Sequence, residues 1–364
     1  MLRKRFVAVC VLTGLCGLGC GGATPAPDDP SGLGGSPRGP ITLMPSDTMA
    51  VVRIDARALR SSPYYGTVSG WLDQIMAASN EQSTQDERNF SMFRHALERT
   101  DVAWVGVVPG ADPAGDPDLL LVAHGSYEPG MLESLLRSED RSEIRVEDRN
   151  GRRVFVSSDA SAVEADSRTW LLATGRRLSD MLARLEGQGG STPLSSEVFT
   201  SMADRIGFER SAVSIVVEMT PALREELSRD MSDPTEVAVV QAMISFGAGL
   251  DIADGIALRA IAHNENAIVA NAFVQEASRS IRELADNMLV QALGLGPALA
   301  QADVRVEGTD ALLAVQVDDP STRTALARAS GLVALALAAA ASMGEEATAV
   351  EDPGTDAGEP DEAP

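Results

Sequence analysis

The chain has 364 residues and a formal net charge of −23, with 53 acidic against 30 basic side chains. So acidic a surface is repelled by phosphate backbones and anionic head groups, which argues against a nucleic-acid partner and against membrane residence through a basic face. Lys4 is the only lysine, and Cys10, Cys16 and Cys20 are the only cysteines. Once an amino-terminal leader is removed, no P-loop or Schiff-base lysine remains, nor any internal disulfide or multi-cysteine metal site.

Arg3, Lys4 and Arg5 precede an apolar run from Phe6 to Leu18, the layout of a secretory signal. That run is too short for a bilayer core of about 30 Å at about 1.5 Å per residue, so it reads as a cleaved leader. Leu18-Gly19-Cys20 resembles the lipobox of bacterial lipoproteins. The resemblance implies a signal peptide over 1–19, a lipid on Cys20 and attachment to the membrane through that lipid. Gly17 stands where the family usually has leucine. Gly21 and Ala23 also fit ordinary small-x-small cleavage, which would release a secreted or periplasmic soluble protein. Gly21 after the cysteine, where aspartate would retain a lipoprotein at the inner membrane, points to the outer membrane.

Residues 20–40 are rich in Gly and Pro without apolar periodicity and read as a disordered tether; 344–364 carry eight acidic residues, no basic ones and no ring, and read as a disordered tail. Between them, strands are expected at Met49–Ile54, Val102–Val108 and Leu119–Ala123, with amphipathic helices at Tyr64–Ala78 and Asp86–Arg99. A helix from Pro129 to about Arg137 leads to a hairpin, Glu143–Glu147 and Arg153–Ser157, turned at Asn150-Gly151. A strand over Thr169–Thr174 and a helix over Leu178–Leu185 close the first half.

The second half is expected to hold a strand at Ala212–Met219 and helices at Pro221–Arg229 and Pro234–Ile244. A hairpin then joins Gly249–Ile252 to Ile256–Ala262. Ile268–Phe273 reads as a strand running into a helix near Ser278–Leu293, and a last hairpin spans Asp303–Val317. The Ala- and Leu-rich stretch Ser321–Ser342 is interrupted by Arg323 and Arg328 and reads as a packed helix.

Ile144–Glu147 and Val304–Glu307 are similar and lie 160 residues apart. The fold is therefore expected to be α+β: a mainly antiparallel sheet covered by helices, built from two pseudo-repeats of β-α-α-β-β-α-β-β over 41–200 and 201–343.

Catalytic motifs are missing. Gly17–Gly22 matches G-x-G-x-x-G but straddles the cleavage site and follows no strand. His95, His124 and His263 have no metal-ligand spacing, and Asp112, Asp116 and Asp118 lack a calcium-loop pattern. No cofactor, metal or catalytic residue is assigned. Tyr64, Tyr65 and Trp71 belong to a local concentration of rings in an aromatic-poor chain, a candidate apolar binding surface. Pro45-Ser46-Asp47, the strand Val51-Val52-Arg53-Ile54-Asp55 and Pro63-Tyr64 resemble an uncharacterised group of bacterial exported proteins and lipoproteins with duplicated α+β domains, which implies no activity. The functions expected are a membrane-tethered, non-catalytic binding or scaffold module of the cell envelope, or a carrier or sensor of an apolar ligand such as a lipid; a hydrolase ranks behind both.

Overall fold

The computed structural model describes residues 39–71, 94–96, 98–110, 117–138, 144–158, 160–229 and 231–348. The segments expected to be a leader and, for the most part, a tether, with Cys20 between them, and residues 349–364 lie outside them. Strands β1 (Ala50–Ile54), β2 (Thr100–Val108), β3 (Asp118–Gly125), β4 (Arg145–Arg149), β5 (Arg152–Val156), β6 (Ala160–Asp166) and β7 (Thr169–Thr174) come from the first half. The second half supplies β8 (Val213–Glu218), β9 (Met243–Asp251), β10 (Gly255–Asn264), β11 (Asp303–Glu307) and β12 (Asp310–Asp318). All pair into one 12-stranded sheet in the order β11-β12-β10-β9-β8-β1-β2-β3-β7-β6-β5-β4. Every neighbouring pair is antiparallel.

The helices with both ends among the described residues are α1 (Ala56–Ser61), α2 (Met131–Ser138), α3 (Leu178–Leu185), α4 (Glu197–Ile206), α5 (Pro221–Ser228) and α6 (Pro234–Gln241), followed by α7 (Ala267–Ala285), α8 (Met288–Leu293), α9 (Gly296–Ala300) and α10 (Asp319–Thr348). Their starts are written locally. Thr220 and Asp233 cap α5 and α6, each with proline at the first helical position, where its missing N–H costs nothing. Ser196 caps α4, and Gly207 in the left-handed conformation ends it. The β4–β5 hairpin turns at Asn150 and Gly151, both at positive φ (55° and 77°), as a two-residue type I′ turn requires.

Strand alternation sorts the core onto two faces. One face carries Val51, Trp104, Val108, Leu120, Val122 and Leu171, packed under α3, α4 and a short 3-10 turn at Gly39–Leu43. The opposite face carries two smaller clusters: α2 packs over β3, β5 and β7, while α5, α6 and α7 pack over β8, β9, β10 and β12.

Three expectations are corrected. Ile268–Phe273 is not a strand but the first turns of α7: Asn266 accepts from Val269 N as a helix cap, Ala270 is fully buried and Ile268 faces outward. The helix expected to run to Ile244 stops at Gln241, because β9 begins at Met243 and pairs with both β8 and β10. Gly247 and Gly249 weaken β9 as a sequence signal, yet α4 needs them. A Cβ on Gly247 would lie 2.6 Å from Met202 Cγ. Helix α10 continues to Thr348, into the segment expected to be an acidic tail. Strand β6, built on Ala160-Ser161-Ala162, has no counterpart in the sequence reading. Among the described residues no helix is long and apolar enough to cross a membrane.

Candidate functional site: an apolar groove beneath α2

On the face covered by α2, several strands of the first half present small residues: Ala103 on β2, Ala123 on β3, and Ala160 and Ala162 on β6. The same strands point Trp104, Leu120, Val122 and Val163 to the other side. Small floor residues opposite a helix leave space. The result is a groove of about 460 Å³ between the sheet and α2. Its floor runs from Ile54 on β1 across β2, β3, β7 and β6 to Phe155 on β5. Six strands at about 4.8 Å spacing make that floor about 24 Å wide, long enough for an extended hydrocarbon chain.

Leu132, Leu135 and Leu136 of α2 and Ile144 form the roof, and Trp170 and Leu172 line the interior. Among the described residues no charged side chain lines the groove. Its hydroxyls are largely engaged already. Thr100 Oγ1 donates to Ala96 O at 2.9 Å and shares a 3.0 Å hydrogen bond with the Tyr127 hydroxyl. Ser157 Oγ donates to Ala160 O and accepts from Ala160 N, both at 3.1 Å. Tyr127 stacks on Trp170 with ring centroids 3.8 Å apart, and burial pushes its phenol up to about 12. Among the described residues the groups at the Thr100 end of the groove are thus bonded to one another and uncharged.

The roof is fastened from outside. Glu133 on α2 accepts from Arg137 of its own helix at 3.1 Å and from Arg153 of β5 at 2.8 Å. These two hydrogen bonds hold its carboxyl below the usual range. Arg153 also lies over the Phe155 ring, 5.6 Å from its centroid.

The aromatic residues singled out from sequence lie elsewhere. Tyr64 is 1% exposed and packs with Val68, Trp71 and Leu326; its hydroxyl donates to Asp319 Oδ1 at 2.8 Å. Burial, then the Asp319 carboxylate, raises its phenol to about 12. Trp71 Nε1 donates to Ser330 Oγ at 2.7 Å. Tyr64 and Trp71 therefore hold the helical residues 65–71 to α10, and neither they nor Tyr65 line the groove. Cys20 lies outside the described residues. His95 is exposed, His124 Nδ1 lies 3.3 Å from Thr169 Oγ1, and His263 Nδ1 lies 2.7 Å from Asp310 Oδ1. Asp118 sits on β3, and Asp112 and Asp116 are outside the described residues. No cluster of metal-ligating side chains occurs among those described.

The groove residues were missed because each is unremarkable alone. The one local signal is size alternation, as in Val102-Ala103-Trp104, which marks a face where the strand does not fill its own side.

No family model and no curated protein matches the chain. Solved structures that resemble it include crystal forms of TP0453. Form III matches with TM-score 0.44 at 10% identity over 80% of this chain and 98% of that one. Form I matches with TM-score 0.43 at 11% identity over 82% and 99%, and form IV with TM-score 0.44 at 12% identity over 79% and 94%.

Proposed function

We propose that this chain is a lipid-tethered bacterial envelope protein that binds an apolar ligand with a single extended hydrocarbon chain in the groove beneath α2. The observation that carries the reading is a concave site of about 460 Å³ with no charged lining among the described residues. Small-molecule sites typically measure about 300–1,000 Å³ and are mostly apolar, with few polar groups. The width of the floor favours a chain-like ligand over a compact one. Of the two expected functions, this favours the carrier or sensor over the bare scaffold. The tether is the lipid on Cys20, supported by the lipobox resemblance, with the outer membrane as its site; ordinary cleavage and a soluble envelope protein is the other reading.

The two-copy origin is part of the proposal. The sheet supports it: reading outward from the central β1·β8 pair, the order β1-β2-β3-β7-β6 mirrors β8-β9-β10-β12-β11. In that correspondence β6 matches β11, and the β4–β5 hairpin, whose sequence resembles β11, is an addition to the first copy.

The test is native mass spectrometry and solvent extraction of the full chain carrying Cys20→Ser, which removes acyl groups attached by processing, followed by titration with a fluorescent fatty acid. Co-purifying lipid and saturable probe binding are expected, with binding lost in Ala162→Phe. A chain that carries no lipid and does not bind the probe would refute the proposal.

A further inference from the structure

A second site lies on the opposite face of the sheet. Four polar side chains stand side by side across four neighbouring strands: Glu218 on β8 pairs with Ser245 on β9, Ser245 with His263 on β10, and His263 with Asp310 on β12. Directly opposed residues of an antiparallel pair have Cβ atoms about 4.5–5.5 Å apart and share a face. The same face carries apolar residues such as Val216 and Ile261 beside the row. Helix α4 lies across the row, and its Glu197, Ser201 and Arg205, spaced four apart, face it. Between helix and row is a crevice of about 230 Å³ that reaches both Ser245 and His263.

The hydrogen bonding of the row has a direction. Arg205 Nη2 donates to Asp310 Oδ2 at 2.6 Å, and Asp310 Oδ1 lies 2.7 Å from His263 Nδ1. Burial opposes ionisation of Asp310, but the bonds from Arg205 and His263 outweigh it and hold the carboxyl below the usual range. An ionised carboxylate only accepts, so Nδ1 of His263 donates to it, and in the neutral form of the imidazole Nε2 presents a lone pair. That lone pair has no partner among the described residues. Neither has the hydroxyl of Ser245, although Ser245 is 2% exposed and lines the crevice. An unbonded hydroxyl and a free imidazole lone pair thus belong to neighbouring residues that both line the crevice. A bulge in β10 immediately after His263 is the kind of irregularity that aims a side chain. Glu218 is engaged separately: Ser196 Oγ donates to its Oε2 at 2.8 Å.

We propose that Ser245 is an activated nucleophile, with His263 as its general base and Asp310 as the residue that positions His263, in the hydrolysis of small carboxylic esters. In this proposal the hydroxyl of Ser245, which stands opposite His263 across the β9–β10 pair, turns to Nε2. The hydroxyl proton passes to Nε2 as Oγ bonds to the ester carbonyl carbon. The carbon–alkoxy bond breaks, and the alkoxide leaves as an alcohol with the proton from Nε2. Water then gives a proton to Nε2 and its oxygen to the acyl carbon. Oγ departs, recovers the proton, and the acid is released. The Glu197 and Glu218 carboxylates beside the crevice, with Arg205 committed to Asp310, select an uncharged or cationic ester over an anionic one. The first-turn amides of Glu197 and Val198 in α4, residues that line the crevice, bond to nothing described and are assigned here as donors to the developing oxyanion.

The experiment treats the full chain with a fluorophosphonate and maps the adduct by peptide mass spectrometry. Turnover of p-nitrophenyl acetate is followed in parallel. The adduct is expected on Ser245 in the folded protein, absent after denaturation, and formed about 100-fold or more slowly in His263→Gln. Ester turnover is expected to vanish in Ser245→Ala, a small change at a buried site, with an unchanged melting temperature as the check on folding. Three results overturn the proposal: Ser245 unmodified, a labelling rate that His263→Gln leaves unchanged, or turnover that survives Ser245→Ala. Labelling of Ser245 without ester turnover overturns the hydrolytic step.

Discussion

The same face of one sheet is finished differently in its two halves. Over β8, β9, β10 and β12, helices α5, α6 and α7 bring Leu223, Leu227, Val240 and Phe273 down onto Phe246, Met243 and Ala262 in one packed cluster. Over β2, β3, β7 and β6, α2 meets Ala103, Ala123 and Ala162, and a groove stays open. Strand pairing and antiparallel topology are alike in both, so the difference lies in side-chain volume on one face. A sheet tolerates a void where small residues line up across strands, at the cost of the dispersion contacts that neighbours would have made.

Truncation should separate the halves most strongly. Met243→Ala removes a buried side chain from the filled half and is expected to cost about 2–5 kcal/mol, whereas Leu132→Ala, whose side chain already borders open space, falls at or below the low end of that range. Urea denaturation measures both, and equal losses would mean that the groove is packed as tightly as the core. Enlargement should reverse the order. Ala262→Leu inserts methylenes into a closed cluster and is expected to destabilise by about 1–3 kcal/mol. Ala123→Leu grows into the groove, so its melting temperature should hold or rise while fatty-acid probe binding falls.

The smallest effect concerns the clamp on the roof. The Glu133 carboxyl is held below its usual range by Arg137 and Arg153, so its contribution is fully present above the ordinary glutamate pKa of about 4.3 and is lost as pH falls through the folded value. Because Glu133 is solvent-screened, the change is small. Melting temperatures taken from about pH 6 to pH 3 should fall slightly less steeply for Glu133→Gln than for the parent chain. An identical slope would show that the clamp contributes nothing to folding.

Much of the fold is local and could be read in advance. Asn150-Gly151 dictates a tight turn, and Pro221 and Pro234 announce helices with their caps beside them. The failures share one cause. Ile268-Val269 favours extended backbone, but Asn266 and burial of Ala270 make the segment helical. The glycines of β9 argue against a strand until α4 is placed upon them.

The two sites lay beyond this kind of reading. The sequence alone determined the acidic balance, the absence of lysine beyond Lys4 and of cysteine beyond Cys20, the lipobox-like segment at Cys20 and the α+β class, since these depend on composition and on patterns within a few residues. The tertiary structure decided the groove, because Ala103, Ala123 and Ala162 share a cavity only once β2, β3 and β6 are set in sheet order. It also decided the row of Glu218, Ser245, His263 and Asp310. Register between strands fixes which side chains stand opposite one another, and a shift of one residue would send each to the other face.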